Sequence, residues 1–418
     1  MATLNVLMVG TGEYTTGFVG GGASGSDKKV GVVGLSLFDL RRRGKVGSLS
    51  MVGTSGGKFP AIREHLNKNI TQAYNGLDTT FTAYPAEDVK RDPDAYKAAI
   101  DQLKPGDAIT IFTPDPTHFP IAMYAIERGI HVMITKPAVM TLEHHIKLIE
   151  AARARGVYVY IEHHKRYDPA YADARHRANK NLGDFNYFYS YMSQPKSQLE
   201  TFKAWAGVES DISYYLNSHH IDICDSMVSP LGYVPVGVSA SASTGVATAI
   251  GCAPQTEDTI TLLVRWQHKT EPTKRGTAVY TASWTAPQRA GVHSNQYFHY
   301  LAQNGEVRID QAKRGYDVAD DSAGQLMWYN PFYMKYAPDE DGNFAGQSGY
   351  GYVSMEKFVD GCRSVNAGEL KPEDLDAKAL PTLANTIATT AILEAGRRSL
   401  DERREVGIST EGGAWKLV

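Results

Sequence analysis

The sequence predicts two architectures in series: a doubly wound α/β unit with a parallel sheet, residues 1–162, then an α+β unit with an open, mostly antiparallel sheet, residues 163–418. Three observations predict this. The apolar run Leu4 to Val9 opens directly into Gly10-Thr11-Gly12-Glu13-Tyr14-Thr15-Thr16-Gly17. Strand-length apolar runs then alternate with helix-period segments to about residue 165. Beyond that point strand-like runs dominate and short turns join them. With 42% apolar and 21% charged residues in 418, the chain has ample material for its own cores and needs no staples.

Element by element, the first strand ends in closely spaced glycines, as a dinucleotide-binding unit begins. Glycines permit the tight turn and let the backbone approach a pyrophosphate. The G-x-G-x-x-G pattern is met in part, since Thr15 stands where the third glycine belongs and Gly17 follows two residues late. Gly20 to Gly25 reads as a flexible insertion. Residues 28–43 read as a helix, whose end carries Arg41-Arg42-Arg43, where cations suit the helix dipole. A second strand is expected from Ser48 to Gly53 and a helix from Phe59 to Asn69. An acid that would read the ribose is expected near that strand's end, but Thr54, Ser55 and Lys58 stand there. Without that carboxylate a 2′-phosphate is not repelled, and Lys58 would attract one, so NADPH, or both NADPH and NADH, are the expected cofactors. The competing registration makes residues 30–38 the second strand, with Asp39 as the ribose acid.

Asp107 to Thr113 predicts a further strand running into Thr113-Pro114-Asp115-Pro116-Thr117-His118, with a helix from Ile121 to Arg128 closed by Gly129. His131 to Ile134 is a short strand that leads to Thr135-Lys136-Pro137. A helix over 141–155 and a strand from Val157 to Ile161 complete the unit, and the run Glu162-His163-His164-Lys165-Arg166-Tyr167-Asp168-Pro169 follows. The second unit is expected to contain strands at Asn186–Met192, Pro235–Ser241, Thr259–Gln267, Thr277–Thr285, Gln296–Ala302 and Glu306–Asp310, with Asn304-Gly305 marking a hairpin. Helices are expected over 211–228 and over Leu380 to Leu400.

Composition excludes several classes. Lys plus Arg is 43 against 46 Asp plus Glu, a balance that argues against a nucleic-acid partner. Three scattered cysteines, Cys224, Cys252 and Cys362, make neither a disulfide framework nor a thiolate zinc site. The doublets His144-His145, His163-His164 and His219-His220 lack the common helical ligand spacing, so no metal is expected; His144 and His145 read as exposed. No basic-then-apolar leader and no run of about 18 apolar residues occurs, so a cytoplasmic protein without a membrane span is expected.

The run Phe112-Thr113-Pro114-Asp115-Pro116-Thr117-His118, then Ala125 to Val132, then Lys136-Pro137, resembles the glucose–fructose oxidoreductase, inositol dehydrogenase and rhizopine-catabolism family of Rossmann oxidoreductases. That family's pattern is T-P-N-x-x-H, a helix ending in glycine, H-V, then E-K-P. The similarity continues through Arg166-Tyr167-x-Pro169 to Asp211–Asp222, which is similar to the family's D-x-G-x-H-x-x-D element. The opening Val9–Val19 and the overall length are similar to fungal D-galacturonate reductases. Two positions depart from the pattern: Thr135 replaces the E-K-P glutamate, and Tyr215 the first aspartate of the later element. The resemblance implies a homodimer or homotetramer formed through the second sheet, and a tyrosine acid/base has precedent within it.

Read as chemistry, Lys136 follows a buried strand at the carboxyl end of the sheet, where α/β ligands bind. There it would hydrogen-bond a substrate oxygen and assist proton transfer; desolvation would bring its pKa toward neutrality. Tyr215 and His219 stand four apart and share a helix face, so a phenol could deliver a proton that an imidazole replenishes, with Asp222 orienting the histidine or capping the helix. The expected cofactor contacts are Gly10, Thr11, Gly12, Glu13, Tyr14, Thr54, Ser55, Lys58, Thr113, Pro114, Asp115, His118, Thr135 and Lys136. Expected substrate contacts are Lys136, His163, His164, Arg166, Tyr215 and His219, Arg166 with Lys165 offering the cation a sugar-acid carboxylate calls for. Lys203, Trp205, His293 and Asn295 are further candidates for a pocket wall. The activity that the resemblance implies is NAD(P)H-dependent reduction of a hexuronate aldehyde, D-galacturonate to L-galactonate; inositol or aldose oxidation, or dinucleotide-dependent sugar sensing without turnover, are the alternatives it leaves.

Overall fold

In the computed structural model, residues 3–24, 28, 30–322 and 324–418 are described. The chain forms two compact units. The first comprises Met1–Ala138, Ile146–Tyr167 and Phe332–Ala384, and the second Val139–His145, Asp168–Pro331 and Asn385–Val418. The single boundary expected at 162/163 gives way to this interleaving for a packing reason. The helix Tyr350–Asn366 buries Tyr352, Met355, Phe358, Val359 and Cys362 in the same core as Val6, Met8 and Leu37, so a late segment completes the first unit.

The first unit is built on a six-stranded parallel sheet, in the order Thr82–Tyr84, Leu49–Val52, Val6–Val9, Ala108–Ile111, His131–Thr135, Val159–Glu162. Val6–Val9 and Ala108–Ile111 are buried at every position, as expected of strands covered on both faces. This order, with chain reversal about the first strand, is that of the doubly wound dinucleotide fold. The helix expected over 28–43 is shorter, Val33–Arg42, with Gly31 just ahead of it at a φ of 78°. Its arginines serve the fold: Arg41 pairs with Asp78 at 2.9 Å and Arg43 with Glu356 at 2.7 Å. The helix expected from Ile121 starts three residues earlier, His118–Ile126, after a 3-10 turn over Asp115–Thr117. Of the glycine-rich stretch, Phe18–Val19 and Gly22–Ala23 pair as a two-stranded ribbon, and Gly25 lies outside the described residues.

The second unit holds an eight-stranded sheet whose longest strands are Phe185–Pro195, Tyr233–Thr244, Glu257–His268 and Arg275–Ala286. All its pairings are antiparallel except that of Phe185–Pro195 with Arg275–Ala286. Burial alternates along Glu257–His268: Ile260, Leu262, Val264 and Trp266 point to the core while Leu263 and Arg265 point out. The hairpin between Asn295–Ala302 and Gly305–Asp310 turns on Gln303 and Asn304, one residue ahead of the expected Asn304-Gly305. The last long helix is Ile387–Glu402, not Leu380–Leu400. Before it, Pro381 and Thr382 pair with the first unit's sheet: the Ile161 N–H donates to the Pro381 carbonyl at 2.7 Å and Thr382 bridges to Tyr160, which covers an edge strand. His145, expected exposed, is fully buried, with Nδ1 2.7 Å from the Thr390 hydroxyl.

Candidate functional site

Parallel strands place their carboxyl ends along one edge of the sheet, and the sequence-predicted residues of the first unit collect there. Gly10 follows the first strand, and its N–H donates to the Val52 carbonyl at 2.9 Å. Its φ is 108°, and a Cβ on it would stand 2.1 Å from the Phe112 carbonyl oxygen, so only glycine fits where two strand ends meet. A Cβ on Gly12 would meet no atom within 4 Å, which leaves backbone open to a close-approaching ligand. Tyr14 stacks on Phe112 at 5.9 Å, the Lys28 ammonium lies 5.4 Å from the Tyr14 ring centroid, and the Glu13 carboxylate accepts from the Ser24 hydroxyl.

At the second strand's end Thr54 and Lys58 are exposed and Ser55 is half-buried. The alternative registration is overturned. Asp39 sits on the helix Val33–Arg42 with no exposure, held by Arg42 at 2.6 Å, the Tyr352 hydroxyl at 2.6 Å and Gln347 at 3.1 Å, so its oxygens are spent on the fold. No ribose-reading acid is supplied by Asp39.

At the fourth strand's end the Thr117 hydroxyl donates to that of Thr113 at 2.7 Å. His118 corrects the expectation of a cofactor contact. It is fully buried, with Nε2 2.9 Å from the Thr113 carbonyl and Nδ1 2.9 Å from the Pro137 carbonyl. Both ring nitrogens are engaged in tying two strand ends together, and one of those ends carries Lys136.

Lys136 is half-buried just past His131–Thr135, and its bond to Pro137 is cis. Desolvation lowers its pKa from 10.5 to about 8; the Asp115 and Glu162 carboxylates act against that fall and Lys28 adds to it. An amine poised there can hold or release a proton near neutrality. Glu162, absent from the residues singled out in the sequence, ends the neighbouring strand and pairs in register with Thr135. Its signal was positional, an acid at the carboxyl end of a buried strand. His163 and His164 are 2% and 4% exposed, and His164 bonds Glu162. Lys165 and Arg166, expected as free cations for a carboxylate, are both 3% exposed, and Arg166 donates to the Ala379 carbonyl at 3.2 Å. Burial makes them elements of the fold's interior.

In the second unit the helix expected over 211–228 begins as a π-helical turn, Ser213–Asn217, and continues as an α-helix, Ser218–Val228. Tyr215 is half-buried against Phe202 and Trp205, ring centroids 5.2 and 5.6 Å away. His219 and Asp222 are 6% and 1% exposed. The His220 ring lies 2.9 Å from the Tyr171 hydroxyl within the core. Gln198 binds His293 at 3.0 Å, and the Lys203 ammonium pairs with Glu200 at 2.7 Å. Among the described residues no group of three or more His, Cys, Asp or Glu is placed to hold a metal, and no helix is long and apolar enough to cross a membrane.

Strand order, the open glycine turn and the residues at the carboxyl edge define a dinucleotide-binding α/β protein. Residues 4–163 match the family GFO_IDH_MocA, described as oxidoreductase family, NAD-binding Rossmann fold. That segment is therefore similar to the NAD-binding Rossmann domains of this oxidoreductase family. The chain is 31% identical over 159 residues to scyllo-inositol 2-dehydrogenase (NAD(+)) of Bacillus subtilis strain 168, covering 35% of this chain and 46% of that protein. It is 33% identical over 118 residues to the uncharacterized oxidoreductase YdgJ of Escherichia coli K12, covering 28% and 34%. The chain thus spans a third to a half of the length of these curated relatives. The whole fold is similar to the structure of myo-inositol 2-dehydrogenase from Lactobacillus plantarum, with TM-score 0.65 at 17% identity over 98% of this chain and all of that one. It is also similar to GenD2 from gentamicin A biosynthesis, in complex with NAD, with TM-score 0.64 at 18% identity, covering 98% and 97%.

The residues present fit a dinucleotide. The backbone is open at Gly12, and Thr54, Ser55, Lys58, Thr113–Asp115 and Lys136 all follow strand ends on the same edge of the sheet, where the pyrophosphate, ribose and nicotinamide of a dinucleotide could be held.

Proposed function

We propose that the chain is an NAD(P)-dependent oxidoreductase that moves hydride between a nicotinamide and a carbon of a polyhydroxylated substrate, with Lys136 as its proton-handling group. One observation carries the reading: a lysine brought to a pKa of about 8 at the carboxyl edge of a dinucleotide-binding sheet. Bound NAD(P)H supplies the hydride from nicotinamide C4. In the reductive direction the Lys136 ammonium hydrogen-bonds the carbonyl oxygen and gives its proton to the oxygen as charge develops there. Lys58, and the lack of a ribose acid among Thr54, Ser55 and Asp39, favour acceptance of NADPH as well as NADH.

For the substrate, the reading is reduction of D-galacturonate to L-galactonate. It rests on the similarity of the opening segment and length to hexuronate reductases. The inositol dehydrogenase relative and the fold likeness to an inositol dehydrogenase support inositol oxidation equally. The outward face of the eight-stranded sheet, with Leu263 44% exposed, is proposed as the surface through which copies of the chain assemble.

The deciding experiment follows absorbance at 340 nm with NADPH or NADH against D-galacturonate, D-glucuronate and D-galactose, and with NADP+ or NAD+ against myo- and scyllo-inositol. Turnover of uronates alone selects the reductase, and turnover of inositols alone the dehydrogenase. Lys136→Ala should lower kcat/KM by about 100- to 10,000-fold while cofactor binding is kept. Cofactor binding with no turnover on any substrate replaces the enzyme with a sugar-responsive dinucleotide binder.

A further inference from the structure

Glu162 is the last residue of Val159–Glu162, in register with Thr135, the residue before Lys136. At 4% exposure its carboxylate needs a donor. His164 supplies one: Nδ1 lies 2.8 Å from one carboxylate oxygen and 3.0 Å from the other. A carboxylate only accepts, so Nδ1 carries the proton and donates. The imidazole is itself held, stacked on Tyr350 at 5.6 Å and 19° and tilted against Tyr333 at 5.1 Å. Burial, with the charges of Tyr14 and Glu162, pushes the Tyr333 phenol well above its usual pKa, so a neutral hydroxyl stands near the carboxylate. Two aromatic rings and one imidazole thus fix a negative charge beside the strand end that presents Lys136. The other charges acting on Lys136 are the Asp115 carboxylate and the Lys28 ammonium.

We propose that Glu162, held by His164, is a positioning residue that places the Lys136 ammonium and keeps it charged until it gives up its proton. The proposal rests on the role assigned to Lys136 in the proposed oxidoreductase. It predicts that the carboxylate acts through its charge, where a merely structural acid would act through the stability of the fold alone.

The test needs neither substrate nor turnover. Pulse acetylation of the full chain at a series of pH values, read at Lys136 by peptide mass spectrometry, reports the amine's titration, which in the wild type centres at about 8. Glu162→Gln removes a charge that favours the ammonium, so the midpoint should fall by about one pH unit. Glu162→Asp keeps the charge with shorter reach and should shift the midpoint the same way by less; it serves where the amide does not fold. An unchanged midpoint in a variant that unfolds like the wild type overturns the proposal. A shifted midpoint in a protein that turns over no substrate upholds the placement while removing the hydride-transfer reading, so the two fail separately.

Discussion

In the six-stranded sheet of the first unit all strands run the same way and its central strands are buried on both faces; in the eight-stranded sheet of the second, direction alternates with one exception and one face is left outward. The difference governs where chemistry can be read. A parallel sheet gathers the ends of successive strands along one edge, so Gly10, Thr113, Lys136 and Glu162, far apart in sequence, share an address set by topology. An antiparallel sheet sends successive strand ends to opposite edges, so strand position alone gives no such address. Tyr215, His219 and the Phe202 ring beside Tyr215 lie on connecting helices there.

Glycines give the largest way to break that comparison. Gly10 and Gly245 have φ values of 108° and 116°, one in each unit. A Cβ on Gly10 would stand 2.1 Å from a backbone oxygen, whereas one on Gly245 would meet nothing within 4 Å. Gly10→Ala should therefore cost about 3–4 kcal/mol, from backbone strain plus forced separation of two strand ends, and Gly245→Ala about 1 kcal/mol from strain alone. Urea unfolding of the two variants measures the difference. Equal losses would mean that the convergence of strand ends in the first sheet carries no special packing constraint.

Lys136 gives the next effect, with its sign worked through pH. Its folded-state pKa of about 8 lies below the ordinary lysine value of 10.5, so folding binds a proton less readily there. The associated stability is present above about pH 10.5 and is lost as pH falls through about 8. Lys136→Met should therefore raise the unfolding free energy at neutral pH by about 2–3 kcal/mol, a gain that fades by about pH 10.5. A fold that gains stability by losing its candidate catalytic amine is what a functional site produces. Thermal unfolding from pH 6.5 upward reads this directly, and a variant less stable than wild type at pH 7 would mark Lys136 as an ordinary structural ion pair.

The same contrast explains what the sequence made legible. Continuous apolar runs located the strands at Val6–Val9, Leu49–Val52, Ala108–Ile111, His131–Thr135 and Val159–Glu162, and strand-like runs joined by short turns located the long strands of the second sheet, because burial on one or two faces writes itself directly into residue order. The short edge strand Thr82–Tyr84, partly exposed, left no such mark. Interleaving of the units was not legible either: whether Tyr350–Asn366 buries its apolar face against Leu37 or elsewhere is a long-range choice that local pattern does not encode. At the site, the glycine turn and Lys136 were marked by their neighbours in sequence. His118 and Arg166 were misplaced because polar residues look alike in sequence whether they face a ligand or a buried carbonyl, and Glu162 was missed because its meaning comes from the strand beside it.

The smallest effect concerns an acid of the second unit and separates structural from functional titration. Asp211 accepts from the Ser213 and Tyr214 N–H groups at 2.8 and 2.9 Å, with Oδ2 3.4 Å from Arg397. Burial nevertheless raises its pKa to about 6, outweighing those partners, and the Glu257 charge adds to the rise. A raised folded-state value means that its stabilising share is full below the unfolded value, about 3.9, and is lost as pH rises through about 6. Asp211→Asn keeps an acceptor for both N–H groups, and Arg397 retains Glu257 at 2.7 Å and Asp401 at 2.6 Å. The variant should then be more stable than wild type by about 1–2 kcal/mol at pH 7 and converge with it toward pH 4, as expected where a buried ion pair does not repay its desolvation. Loss of stability at pH 7 would show that the Arg397 pair outweighs burial. Activity should hold through this change, unlike the loss that the proposed function expects for Lys136→Ala, because the Asp211 carboxylate accepts from the first N–H groups of a helix in the second unit, whereas Lys136 stands at the carboxyl edge of the first sheet.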